Sequence, residues 1–197
     1  MKKLIGCLVG LIVVAIGINF LMPSVRGTAD LPFINYTSAL EQSEEEYLVY
    51  FYQETCTFCK QLEPQVIKTY SEGTSIYVVD MLDETNQSAW YDWTTHHEKY
   101  TKEIGEVING ERVLYEGESY DKYAAATYNI TEREGKIVVI DNEAKNNLNP
   151  TTVDEIEISG TPSILRIKNG KIESFASGLI QSQGTLDLYS KTNNDIQ

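Results

Sequence analysis

An apolar run that leads directly into a pair of cysteines constrains the fold of this chain more than any other feature. Tyr47–Tyr52 is a short continuous apolar stretch, which indicates a strand buried on both faces. Cys56 and Cys59 follow it, and a helix is predicted from about Cys56 to Tyr70. The next strand is predicted over Ser75–Met81. A strand, a helix and a strand of these lengths form a βαβ unit, so we expect a parallel strand pair.

Two cysteines three residues apart at a helix start are suited to thiol–disulfide exchange. Thr55 is the predicted N-cap, and the unpaired N–H groups and dipole of the helix end stabilise a thiolate on Cys56. Cys59 lies one turn later and can attack a mixed disulfide formed on Cys56. The third cysteine, Cys7, lies in the N-terminal apolar segment, so the chain lacks the cysteines of a disulfide-stapled fold.

The N-terminal residues Leu4–Met22 form a nearly uninterrupted apolar stretch. At about 1.5 Å per residue, a helix of this length just spans a hydrocarbon core of about 30 Å. Lys2 and Lys3 precede the stretch and only Arg26 follows it closely, which predicts that the chain beyond it lies outside the cytoplasm. We favour an uncleaved anchor because the stretch is long for a signal peptide, and cleavage near Ala29 is the alternative.

These features predict three regions. A transmembrane signal-anchor occupies residues 1–22, a polar tether occupies residues 23–33, and a folded domain occupies residues 34–197. The chain is then a single-pass protein of the cell membrane with an extracytoplasmic C-terminal domain. The formal net charge of −13 argues against nucleic acid as a partner, because an acidic domain repels the phosphate backbone.

Residues 84–149 are predicted to form an ordered insertion, since they hold both tryptophans and both histidines. Apolar residues at helical spacing predict one amphipathic helix that contains Ala89, Trp93, His97, Tyr100, Ile104, Val107 and Ile108. Thr127–Thr131 and Lys136–Ile140 predict a hairpin. We expect Trp90 and Trp93 to pack the insertion onto the core.

The two histidines are adjacent in the predicted helix. His97 falls on its apolar face and is expected to be a hydrogen-bonded packing residue, whereas His96 is expected to be solvated. A zinc site that combines them with Cys56 and Cys59 is the alternative. Neighbouring helical residues point about 100° apart, which suits a shared metal poorly, so no metal is predicted.

The C-terminal part of the chain predicts a hairpin and a helix. Ser163–Lys168 and Lys171–Ala176 read as strands, and Asn169 and Gly170 between them form a strong two-residue turn signal. The last helix is predicted from about Gln183 to Lys191.

With these elements placed, the chain resembles the thioredoxin family over about residues 47–83 and 152–191. The resemblance rests on the cysteine pair, on Pro64 where the family has a helix-kinking proline, and on Ile158–Gly170. That last segment resembles the family's cis-proline loop and the hairpin after it. The resemblance implies an α/β fold, a thioredoxin-like three-layer sandwich with a mixed central sheet and a large helix-plus-hairpin insertion before the cis-proline loop.

The resemblance also implies the site and its partners. Cys56 and Cys59 would be the catalytic pair, and the bond between Thr161 and Pro162 would be cis. The substrate-binding residues would be Thr57, Phe58, Thr161 and Pro162. The partners would be protein or peptide thiols and disulfides together with an upstream redox partner, and no cofactor would be needed.

Two positions depart from the family's pattern. Many thioredoxins have a tryptophan before the first cysteine and a buried aspartate in the preceding strand, and here these positions hold Thr55 and Tyr50. The aspartate's part in deprotonating the resolving cysteine is therefore vacant or passes to another residue. Glu54 and Glu63 are the nearest carboxylates in sequence. No histidine lies between the cysteines, which disfavours a strongly oxidising protein.

The anchored arrangement resembles membrane-anchored thioredoxin-like proteins of Gram-positive bacteria, including the bacteriocin transport accessory type. It implies a membrane-tethered, extracytoplasmic thiol–disulfide oxidoreductase. Oxidation, reduction and isomerisation are all open, because reduction potential depends on small differences in thiolate and disulfide stability. The alternative is a non-catalytic thioredoxin-like accessory or binding module for a transporter or a secreted peptide.

Overall fold

The computed structural model of this protein describes residues 25–192. The predicted membrane anchor Leu4–Met22 lies outside these residues. Between residues 25 and 192, no helix combines the length and apolar character needed to cross a membrane. The last residues of the predicted tether pack on the domain, because Leu31 is buried and Phe33 forms a parallel bridge with Val78.

The central sheet has four strands and is mixed, as predicted. Its strands are β1 (Glu46–Tyr52), β2 (Ile76–Asp80), β7 (Ser163–Lys168) and β8 (Lys171–Ser177). Their order is β2-β1-β7-β8, in which β1 and β2 are parallel and the other pairs are antiparallel. Tyr47 to Phe51 are fully buried, which explains the continuous apolar sequence of β1. The βαβ unit and the hairpin at Asn169 and Gly170 are confirmed.

Two helices cover one face of this sheet. They are α1 (Thr57–Ser71) and α3 (Leu179–Thr192), which pack against each other. Three short 3-10 helices cover the opposite face, namely Tyr36–Ser38, Glu84–Ala89 and Val153–Glu155. The sheet therefore lies in the middle of a three-layer arrangement.

The start of α1 differs by one residue from the prediction, because its N-cap is Cys56 and not Thr55. Its buried residues are Cys59, Leu62, Val66 and Thr69. Phe58 is apolar but 54% exposed. The face that packs on the sheet starts at Cys59, so Phe58 remains at the surface.

The insertion contains a second sheet, and the prediction of one helix running to Ile108 was wrong. Helix α2 (Trp93–Tyr100) ends after eight residues and continues directly as a strand. The sheet is fully antiparallel with the order β4-β3-β6-β5. Its strands are β3 (Thr101–Ile108), β4 (Glu111–Leu114), β5 (Tyr128–Arg133) and β6 (Lys136–Asp141).

A turn signal within the insertion explains the error. Asn109 and Gly110 both have positive φ and join β3 to β4 as a hairpin. Apolar residues three or four apart can lie on one helix or be divided between a helix and a strand. Here the hairpin turn after Ile108 makes the residues before it a strand. The insertion therefore contains one short α-helix and two hairpins. The second hairpin, β5–β6, is the predicted one.

Candidate active site

The first cysteine caps a helix with its own sulfur. Cys56 has an extended backbone, and its Sγ accepts a hydrogen bond from the Cys59 N–H at 3.1 Å. The Cys56 N–H donates to the Gln53 carbonyl at 3.1 Å, closing the turn between β1 and α1. Sulfur thus takes the place of the usual side-chain oxygen of an N-cap, at the positive end of the helix dipole.

A loop from the other end of the chain meets this sulfur. The Cys56 thiol donates to the Thr161 carbonyl at 3.2 Å, across a separation of 105 residues. The peptide bond between Thr161 and Pro162 is cis, as the resemblance implied. Cys56 is partly exposed, whereas Cys59 is fully buried and both are free thiols. A molecule in solution can therefore reach the first sulfur but not the second.

The two thiols have opposite acidities. Burial opposes ionisation of Cys56, but hydrogen bonds from the Cys59 and Thr161 side chains and from backbone N–H groups outweigh it and lower its pKa. Burial raises the pKa of Cys59 to about 11, and its hydrogen bond to Cys56 adds to the rise. The arrangement favours one nucleophilic thiolate, on Cys56, beside one retained thiol.

Selective alkylation is expected from this difference. Because the pKa of Cys56 is lowered, half of its thiol is ionised at a lower pH than for an ordinary cysteine, whereas Cys59 requires a pH of about 11. Iodoacetamide at pH 7 should modify Cys56 alone, as read by peptide mass spectrometry. In the denatured chain both should react at similar rates. Equal rates in the folded chain would contradict the assigned acidities.

The remaining predicted substrate-binding residues lie around the Cys56 sulfur. Thr57 and Phe58 are exposed on the first turn of α1, and a hydrogen bond from the Phe58 N–H helps to lower the pKa of Cys56. Thr161 is half-buried and Pro162 is buried. The fold thus brings Cys56 and Thr161 into contact, and it leaves the side chain of Phe58 free at the surface.

A tyrosine lies where many thioredoxins have a buried acid. Tyr50 is fully buried on β1, and its hydroxyl has no hydrogen-bond partner among residues 25–192. Burial raises the pKa of Tyr50 far above its usual value, and the nearby Cys59 raises it further. Neither nearest carboxylate replaces the acid, because Glu54 is exposed and Glu63 accepts a hydrogen bond from the Thr28 N–H at 2.9 Å.

Gln53 is a site residue that the sequence reasoning missed. The Thr161 hydroxyl donates to its Oε1 at 2.9 Å, and its backbone N–H faces Cys59. Its position in the sequence was the available signal. Gln53 is a polar residue that ends a buried strand three positions before a cysteine, and such a residue lies at the sheet edge that carries the site.

The insertion is attached to the segment that precedes the cis-proline. The Trp93 indole N–H donates to the Ser159 carbonyl at 3.1 Å, and the Tyr91 N–H donates to the Ile158 carbonyl at 3.0 Å. Trp90 packs against the core and donates to the Met81 carbonyl at 3.1 Å. The expectation that the tryptophans pack the insertion onto the core is confirmed for Trp90, whereas the Trp93 ring packs on Tyr91 and His96 within the insertion.

The expectation that His96 is solvated was wrong. His96 is buried, with Nε2 3.0 Å from the Asp141 carbonyl and Nδ1 2.8 Å from the Tyr91 hydroxyl. His97 is only half-buried. The early end of α2 places His96, and not its neighbour, between the helix and β6. Within the described part of the chain, no group of three or more His, Cys, Asp or Glu side chains could hold a metal ion.

The chain is similar to a thioredoxin family model and to a solved thioredoxin structure. Residues 29–94 match the family model for thioredoxin, which is about a third of the chain and includes both cysteines of the pair. The crystal structure of Chlamydomonas reinhardtii thioredoxin f2 is similar at 12% identity, covering 82% of this chain and 95% of that one with a TM-score of 0.38. No curated protein matches the sequence. The matched domain and the sheet order identify the fold as thioredoxin-like α/β.

Proposed function

We propose that this protein is a membrane-tethered thiol–disulfide oxidoreductase that acts outside the cytoplasm through Cys56 and Cys59. The observation that carries the proposal is the environment of the Cys56 sulfur. It caps α1, touches the Thr161 carbonyl at 3.2 Å and is partly exposed beside a fully buried second thiol. A solvent-accessible, acidified thiol with a resolving thiol one turn away is the arrangement that disulfide exchange requires.

In the reductive direction, the Cys56 thiolate attacks one sulfur of a client disulfide. The client S–S bond breaks, a mixed disulfide forms, and the leaving client thiolate takes a proton from solvent. Cys59 then attacks Cys56 Sγ and gives up its proton to the second client sulfur, which leaves as a thiol. The client gains two electrons and the enzyme holds a Cys56–Cys59 disulfide. The oxidative direction is the reverse, and an upstream thiol or disulfide partner restores the starting state.

Thr57, Phe58, Thr161 and Pro162 would contact the client around the attacked sulfur. The proposed membrane anchor is supported by the sequence of Leu4–Met22 and by the lysines before it. The same orientation supports an extracytoplasmic location, and the bacteriocin transport accessory subtype is proposed from the resemblance alone. The fold and the thiol chemistry do not depend on that subtype.

A trapping experiment tests this proposal. In a Cys7→Ala background, Cys59→Ala removes the resolving thiol, so clients should remain disulfide-bonded to Cys56 and be released by reductant. A membrane-impermeant maleimide added to intact cells should label Cys56 in the reduced protein. The matched control is Cys56→Ala with Cys59 present, because the buried Cys59 should capture nothing.

The outcomes separate the proposal from its rival. Reductant-sensitive adducts with Cys59→Ala, and none with the control, support an oxidoreductase. Absence of adducts from both variants would indicate a binding module. Labelling that requires cell lysis would place the domain on the cytoplasmic side and overturn the proposed location.

A further inference from the structure

The Thr161 hydroxyl lies beside the Gln53 amide and near the cysteine pair. It donates to Gln53 Oε1 at 2.9 Å, across 108 residues of sequence. The Thr161 carbonyl oxygen lies 3.2 Å from the Cys56 sulfur, and the Thr161 side chain is close enough to both cysteines to favour their ionised forms. A hydroxyl has a single hydrogen to donate, so an amide oxygen and two sulfurs compete for it.

Gln53 is held firmly at this point by its backbone. Its carbonyl accepts the Cys56 N–H at 3.1 Å, and its own N–H faces the Cys59 sulfur. Its side chain ends in an amide, which can present either an acceptor oxygen or a donor NH2 group to the Thr161 hydroxyl. The Gln53 side chain can therefore accept a hydrogen bond from the Thr161 hydroxyl. Alternatively it can donate one to the hydroxyl oxygen, which leaves the hydroxyl hydrogen free for another acceptor.

We propose that Gln53 is a positioning residue of the redox site, which controls whether the Thr161 hydroxyl donates to the amide or to a cysteine sulfur. This inference rests on the proposed function. While both cysteines are thiols, the hydroxyl donates to Oε1, as in the structure. When Cys56 ionises, the amide turns so that its NH2 donates to Oγ1, and the hydroxyl proton turns to the thiolate. The thiolate gains a charge-assisted hydrogen bond, and no proton is transferred.

Substitutions at Gln53 that keep or remove this freedom test the proposal. In full-length Cys7→Ala protein, Gln53→Glu supplies a carboxylate that only accepts, so it should retain the hydroxyl proton. We expect the Cys56 thiolate fraction at pH 7 to fall about tenfold, which is one unit of pKa. Gln53→Met removes the competitor and frees the hydroxyl, so the fraction should change by less than about threefold. Thr161→Val should lower it several-fold.

The coupling between the two positions is the decisive measurement. The pH profile of the iodoacetamide reaction at Cys56 gives the thiolate fraction for each variant. If Gln53 acts through the hydroxyl, Gln53→Glu should have less than half its effect, on a logarithmic scale, when Thr161→Val is also present. An undiminished effect would mean that the new charge acts directly and would overturn the proposal. The nearby titratable groups, Tyr50, Tyr52, Glu54 and Glu63, are the same in every variant.

Folding and function are controlled separately. Thermal unfolding of each reduced variant identifies any variant that fails to fold. If Gln53→Glu fails to fold, an unchanged pH profile of alkylation in Thr161→Val alone overturns the proposal. Alkylation needs no client. A negative result here therefore leaves the exchange activity of the unsubstituted chain intact, whereas failure of the oxidoreductase proposal would appear as absent exchange in that chain.

Discussion

Replacing Cys56 with serine is expected to reduce disulfide exchange by about a thousandfold or more, to the level of the uncatalysed reaction. A serine hydroxyl does not ionise near neutral pH and cannot form the mixed disulfide. Exchange is measured as turnover of a model protein disulfide by the purified full-length chain. Serine is among the best N-cap residues, so α1 should keep its cap and the variant should fold.

The matched control is Cys7→Ala, which removes the cysteine outside the predicted pair and should leave turnover unchanged. Full activity in Cys56→Ser would contradict the assignment of the nucleophile. A cellular phenotype that survives Cys56→Ser, while turnover in the purified protein is lost, would instead favour the non-catalytic accessory role.

Adding one methyl group at Gly105 is expected to destabilise the insertion by about 3 kcal/mol. Gly105 lies at an irregularity in the pairing of β3 with β6, where the backbone of β4 comes very close. A Cβ there would collide with the Val113 carbonyl oxygen and lie 2.9 Å from the Leu114 Cα. Both atoms belong to the backbone of β4, so the clash cannot be relieved by a side-chain rotation.

The free energy of unfolding in urea, compared between Gly105→Ala and the unsubstituted chain, measures this effect. Gly184→Ala adds the same methyl group to the exposed surface of α3, where nothing lies within 4 Å of the new Cβ. That change should stabilise the protein by about 0.5–1 kcal/mol, because alanine loses less backbone entropy in a helix. A Gly105→Ala variant as stable as the unsubstituted chain would show that the close approach of β4 to β3 is wrong.

Local sequence patterns predicted the part of the chain that holds the cysteines. The apolar run of β1, the turn at Asn169 and Gly170, and the strands beside it all lie where their sequences indicate. These elements are decided by local preferences, namely burial of a continuous apolar strand and a turn that tolerates positive φ. The insertion was harder to predict, because its apolar spacing suits a helix as well as the strand β3.

The sequence alone determined that Cys56 and Cys59 lie at a helix start after a buried strand. The order and spacing of neighbouring residues control where the strand ends and where the helix begins. Only the tertiary structure decided what surrounds the sulfurs. The Thr161 carbonyl contacts the Cys56 sulfur, the Gln53 amide holds the Thr161 hydroxyl and Tyr50 lies near Cys59, all through the pairing of β7 with β1 and the turn into α1. Such contacts join residues as many as 108 positions apart, and they depend on how whole elements pack. A strand–cysteine–helix pattern thus places the nucleophile, and packing between distant segments sets its acidity.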